Sequence, residues 1–150
     1  MAGEGANIYG FWPADPNAPI KYYPVAATQT FAAGDPVIES TGVAVAVAAS
    51  SATLLGVAAG PCAALATSTM VPVWSDPETV FRARIAATAA SLVPGDLIDL
   101  TGTTGAFTAN PALSTQDLFV FLRTVPGQTN STVGALIEIK INPHNHQLHN

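Results

Sequence analysis

The sequence predicts an all-β protein: a compact β-barrel or β-sandwich with little helix and an extended, proline-rich N-terminal arm. Three observations carry that expectation. Twelve prolines and twelve glycines are spread through 150 residues, with short β-favouring runs between them. Several of those runs alternate with a period of two, the spacing of side chains on a strand. Hydrophobic residues make up 49% and charged residues 10%, which suits a folded chain rather than a disordered one. The length allows one domain, which buries roughly two thirds of its unfolded surface and needs no metal or disulfide to fold.

Residues 1–24 form the expected arm. Pro13, Pro16, Pro19 and Pro24 exclude a regular helix or central strand there. The same stretch holds Tyr9, Phe11, Trp12, Tyr22 and Tyr23, five of the eleven aromatic residues. An aromatic extended segment predicts docking on an apolar surface, with a neighbouring subunit preferred over the chain's own body. A β-body over residues 25–141 follows, then a tail over residues 142–150.

Within the body, strands are expected at Val25–Phe31, Pro36–Ser40, Val43–Ala48, Thr53–Ala58, Met70–Trp74 and Thr79–Ile85. Further strands are expected at Asp96–Leu100, Gly105–Thr108, Leu118–Thr124 and Val133–Ile141. Ile137, Ile139 and Ile141 alternate with Leu136, Glu138 and Lys140, so three isoleucines share a face. Val43, Val45 and Val47 alternate with alanines, as in a strand covered on both sides. Short helical turns are candidates at Cys62–Ser68 and Ala86–Ser91. The apolar stretch Val43–Ala66 is broken by Gly56, Gly60, Pro61 and several hydroxyl residues, so it reads as two strands and a turn rather than a membrane span. Met1–Gly5 lacks the basic-then-apolar pattern of a signal peptide.

One internal echo is present. Gly34-Asp35-Pro36-Val37-Ile38-Glu39-Ser40-Thr41-Gly42 recurs as Gly95-Asp96-Leu97-Ile98-Asp99-Leu100-Thr101-Gly102. Each copy reads as turn, short strand, turn. The pair suggests two similar hairpins, with opposite sides of one barrel as a candidate placement.

Catalytic chemistry finds little support. The three histidines, His144, His146 and His149, all lie in the last seven residues. They are a weak candidate metal cluster, with His144 and His146 on one face of an extended strand. Cys62 has no basic neighbour to activate it and reads as a buried inert thiol. The near carboxylate pairs, Asp76 with Glu78 and Asp96 with Asp99, sit in or beside turns where Asp serves the local backbone. No phosphate-binding glycine motif is present. Lys21, Arg82, Arg84, Arg123 and Lys140 are too few and scattered to neutralise a nucleic acid. No catalytic residue, cofactor, nucleic acid or membrane is expected. Arg82 and Arg84 share a strand face, either solvated or reaching acidic groups on a partner. Trp74 belongs to a core or an interface.

The order Phe31-Ala32-Ala33-Gly34-Asp35-Pro36-Val37, a small-residue strand, then Leu54-Leu55-Gly56-Val57-Ala58 resembles the capsid decoration, or cement, proteins of tailed bacteriophages. Val71-Pro72-Val73-Trp74, Val80-Phe81-Arg82-Ala83 and Pro94-Gly95-Asp96-Leu97-Ile98-Asp99-Leu100 extend the likeness, as a pattern, over residues 31–141. The resemblance implies a β-tulip-like body and a structural role: a homotrimer on the capsid exterior, bound to the major capsid protein and bracing the shell against packaged DNA. A low-charge surface agrees with extensive contacts, since interface cores are poor in charge and rich in aromatics. The expected contact residues are Tyr9, Phe11, Trp12, Tyr22, Tyr23, Arg82 and Arg84. Another virion or receptor-binding β module, and less so a β-barrel hydrolase, are the competing readings.

Overall fold

The computed structural model describes residues 9–25, 29–40, 43–46, 53–61, 69–87, 92–103, 105–111, 117–128 and 133–146. Their order is β1 (Trp12–Pro13), β2 (Lys21–Val25), β3 (Pro36–Ser40), β4 (Val43–Ala46), β5 (Gly56–Ala58) and β6 (Thr69–Trp74). β7 (Phe81–Arg84), β8 (Leu97–Thr101), β9 (Thr108–Asn110), β10 (Phe119–Thr124) and β11 (Leu136–Ile141) follow. One short 3-10 turn at Pro143–Asn145 is the helical structure among the described residues. The protein is all-β.

Two sheets pack together in a sandwich-like arrangement. One runs β1–β7–β11–β10–β8–β9, and the other runs β4–β3–β5–β6–β2. Pairing in the second sheet returns to its start, but only through the single parallel pair Val25↔Ala44. The first sheet has a similar seam, one parallel bridge between Ile85 and Ala109. Seams one residue pair wide make these strongly curled antiparallel sheets rather than continuously bonded barrels.

The two sheets are copies of one design. β2–β6 and β7–β11 have the same order and the same partners, and the register transfers residue by residue. Lys21↔Val73 corresponds to Phe81↔Ile139, Tyr22↔Pro72 to Arg82↔Glu138, and Glu39↔Ala44 to Leu100↔Ala109. Val37↔Gly56 corresponds to Ile98↔Phe119, and Ala58↔Val73 to Phe121↔Ile139. The turns match as well. Gly34 N–H donates to Ala58 O at 2.8 Å, and Gly95 N–H to Phe121 O at 2.9 Å. Asp35 and Asp96 each accept, through Oδ2, the amide three residues earlier. Gly34 (φ +91°) and Gly95 (φ +99°) hold the left-handed conformation that glycine adopts without strain. The sequence echo is thus the visible part of a duplication spanning both sheets. It does not mark opposite sides of a single barrel.

Interior positions of the two units keep apolar character while exchanging volume. Val37, Val71, Val73 and Ala58 line the smaller core. Their counterparts Ile98, Ile137, Ile139 and Phe121 lie in the larger one. Alternation along the wall between the sheets serves both cores: Val37, Ala58 and Val73 face one, while Ile38, Val57 and Trp74 pack against the other. Hence all three residues of β5 are buried. Gly56 is required there, because a Cβ would come within 2.4 Å of the Trp74 carbonyl oxygen.

The N-terminal segment departs from the expected arm. The boundary placed at residue 25 falls inside β2, which pairs with β6 along its whole length. Phe11 is fully buried and stacks on Phe119 with ring centroids 4.8 Å apart. Its amide donates to Gly34 O, and that of Gly10 to Phe107 O, so these residues staple one unit to the other. Residues 9–25 therefore join the body in cis, through the burial of Phe11 and the pairing of β1 with β7 and of β2 with β6. The strand expected over Val25–Phe31 starts earlier, at Lys21, and is described to Val25; residues 26–28 lie outside the described residues. Pro24 is tolerated because its position turns away from β6 in the antiparallel alternation. The helical candidate at Cys62–Ser68 and most of Ala86–Ser91 lie outside the described residues.

Candidate functional site

Duplication provides an internal control for reading the surface, since each outward position has a counterpart on the same backbone frame. In the second unit, the outward face of β7 and β11 is ionic. Arg82 Nε lies 2.9 Å and Arg123 Nε 2.7 Å from the two oxygens of Glu138. The hydrogen bond from Arg123 chiefly, helped by that from Arg82 and opposed by partial burial, holds the Glu138 carboxyl below the usual 4.5. Arg84 Nη1 donates to Gly134 O at 2.8 Å. The shared strand face expected for Arg82 and Arg84 is present, and both guanidiniums are engaged within the chain.

The first unit carries apolar residues at the equivalent positions. Tyr22 stands opposite Pro72 where Arg82 stands opposite Glu138, and Pro24 opposite Met70 where Arg84 stands opposite Leu136. Among the described residues nothing covers this face: Tyr22 is 64% exposed, Met70 56% and neighbouring Ile20 46%. Large apolar side chains held in contiguous solvent contact mark an interaction surface more often than isolated ones do. Tyr23, the next residue along β2, turns the other way, packs against the smaller core and shares a hydrogen bond with Ser75 Oγ at 2.9 Å.

The remaining expected contact residues divide. Phe11 is removed from any surface by its burial, a correction to its placement among partner contacts. Trp12 is half-buried, edge-on to Trp74 at 6.2 Å, and its indole N–H donates to Tyr9 O at 3.0 Å. Tyr9 is exposed. Sequence alone does not single out Met70 and Ile20, because their exposure follows from pairing between strands nearly fifty residues apart.

His144 and His146 do not converge. His146 is buried with Nε2 3.0 Å from Leu55 O, where residues 145–146 bridge to Leu54, while His144 is exposed. His149 and Cys62 lie outside the described residues. Among the described residues, no group of three or more His, Cys, Asp or Glu is placed to hold a metal ion. No helix there is long and apolar enough to cross a membrane.

An open groove of about 510 Å³ lies beside the ion cluster. Asp15, Asp76 and Glu78 line it, with Glu138 at one side. Asp15 and Asp76 each use Oδ1 to accept the amide two residues on, closing their own turns. Glu138, clamped by two guanidiniums, is driven away from the protonated state a general acid requires. Asp35, by contrast, is 2% exposed, and burial pushes its carboxyl above 3.8 despite amide bonds from Ala32 and Gly105. Its bond to Gly105, across to the second unit, makes it a strut rather than a groove residue. Compared with protein families and with curated proteins, the chain matches none.

Proposed function

We propose that this protein is a structural component of a tailed-phage virion, binding the capsid exterior as a homotrimer, contacting the major capsid protein and stabilising the shell against packaged DNA. The body would be of the β-tulip-like type that the sequence resemblance implies. One observation carries the contact assignment. The same backbone face bears a hydrogen-bonded ion cluster in one unit and exposed Tyr22, Met70 and Ile20 in the other. Solvation alone favours the ionic version, so retention of an apolar one suits a face that is covered in the assembled state. The low overall charge and the turn-plus-strand likeness over residues 31–141 support the same reading.

On this reading the protein is not an enzyme and uses no cofactor. The groove beside Glu138 is the feature a hydrolase reading would use, and the clamped carboxylate argues against it. Co-sedimentation with expanded capsids tests the proposal. The full chain should bind. A folded Tyr22→Glu/Met70→Glu variant should lose at least tenfold in occupancy. Unchanged occupancy would refute the face assignment.

A further inference from the structure

The duplication also indicates what kind of partner the apolar face takes. In the second unit, β7 has a strand on each side at its N-terminal end: β11 on one and β1 on the other. Trp12 stands opposite Arg82 and Pro13 opposite Phe81, and Ala14 N–H donates to Val80 O at 2.9 Å. In antiparallel pairing, bonded and non-bonded positions alternate. Val80 and Arg82 thus turn their backbone groups towards β1, and Pro13, which has no N–H, falls where none is needed. The counterparts of Val80 and Arg82 in the first unit are Ile20 and Tyr22. Among the described residues no strand pairs with Lys21–Tyr22 on that side; β4 meets β2 only at Val25.

We infer that the edge of β2 at Ile20–Tyr22 is a strand-acceptor site for an extended segment of a partner polypeptide with the chemistry of β1, an uncharged aromatic–proline stretch. Adding a strand satisfies the Ile20 and Tyr22 backbone groups, and the incoming side chains cover Ile20, Tyr22 and Met70. Lys21 and Pro24 restrict the slot. Pairing two β2 edges from separate copies would bring like-charged Lys21 side chains together, and Pro24 removes a donor that a longer ladder would use. A short segment from another polypeptide meets neither obstacle. The inference rests on the contact-face reading for its location and specifies how the face is engaged.

The probe is a capped peptide of residues 10–14, Gly-Phe-Trp-Pro-Ala, titrated into the full chain while backbone amides are followed by NMR. Saturable shifts at Ile20 and Tyr22, with at least tenfold slower Tyr22 amide exchange, are expected. Tyr22→Pro should abolish them while leaving the other strands' amides in place; Met70→Glu, which leaves the backbone untouched, should weaken them. Three results would overturn the inference. One is an unperturbed Tyr22 amide at millimolar peptide. Another is perturbation at Val80 and Arg82 instead, meaning exchange with β1. The third is Tyr22 protection on raising protein concentration without peptide, which assigns the edge to a second copy. Capsid occupancy separates this failure from that of the face itself. Loss with Tyr22→Glu/Met70→Glu but not with Tyr22→Pro would refute strand addition alone.

Discussion

Replacing Phe11 by alanine distinguishes a segment built into the core from an arm resting on a neighbour. The ring is 0% exposed and stacks on Phe119 at 4.8 Å with an interplanar angle of 17°. Truncating a buried phenylalanine costs about 3–5 kcal/mol, from lost transfer energy and the residual cavity. The offset-stacked contact contributes about 0.5–1.5 kcal/mol of specific interaction. The cavity cannot collapse easily, since the Gly10 and Phe11 amides fix the backbone between Phe107 and Gly34. A domain of this size loses about 2–4 °C in Tm per kcal/mol, so a fall of roughly 6–20 °C is expected. Thermal and urea unfolding monitored by circular dichroism, at two protein concentrations, measure the fall in Tm and in free energy. Tyr22→Ala, at an exposed position, is the matched control and should shift stability by less than about 0.5 kcal/mol. A Phe11→Ala loss below about 1 kcal/mol, or one that depends on protein concentration, would refute cis docking.

The glycine counterparts offer an internal comparison: Gly34 and Gly95 share a positive φ, but a Cβ at Gly34 would lie 2.7 Å from the Trp12 ring, whereas one at Gly95 meets open space. Gly95→Ala should therefore cost about 1 kcal/mol, and Gly34→Ala about 1–3 kcal/mol more because of overpacking; equal losses by thermal denaturation would contradict the packing of Trp12. Glu138 has a lowered folded pKa, so its stabilisation is present above the ordinary 4.5 and is lost as pH falls through the folded value. Glu138→Gln should accordingly flatten the acid limb of the stability profile, and an unchanged limb would refute the clamp. Asp35 has the opposite sign: its raised pKa makes the ionised form costly, so acidification towards 4 favours the folded state through this group. Asp35→Asn should remove that gain, so that its urea midpoint rises less, or falls more, than that of the parent chain as pH is lowered towards 4.

The strand content was legible because alternation survives in single strands, most clearly at Ile137, Ile139 and Ile141, all fully buried on β11. Strand β2 was not, because Tyr22, Tyr23 and Pro24 resemble an arm until β6 supplies a partner. The duplication was legible only at its turns. Gly34 and Gly95 are fixed by backbone conformation and Asp35 and Asp96 by an amide bond, so residue identity is retained. Interior pairs such as Ala58 and Phe121 are constrained only to be apolar, since neighbouring volumes compensate. The candidate face was half-legible. Parity placed Arg82 and Arg84 together, but Glu138 reaches Arg82 from 56 residues away, and no local pattern announces that pairing.

Under the proposed function, the outward face of β2 and β6 meets a capsid shell. A reconstruction of expanded capsids incubated with the full chain tests it most directly. Added density is expected on the exterior in groups of three, each with the Tyr22–Met70 face against the shell and the Glu138 ion cluster towards solvent. Absence of exterior density, or attachment through the Arg82–Glu138–Arg123 face with Tyr22 left in solvent, would contradict it.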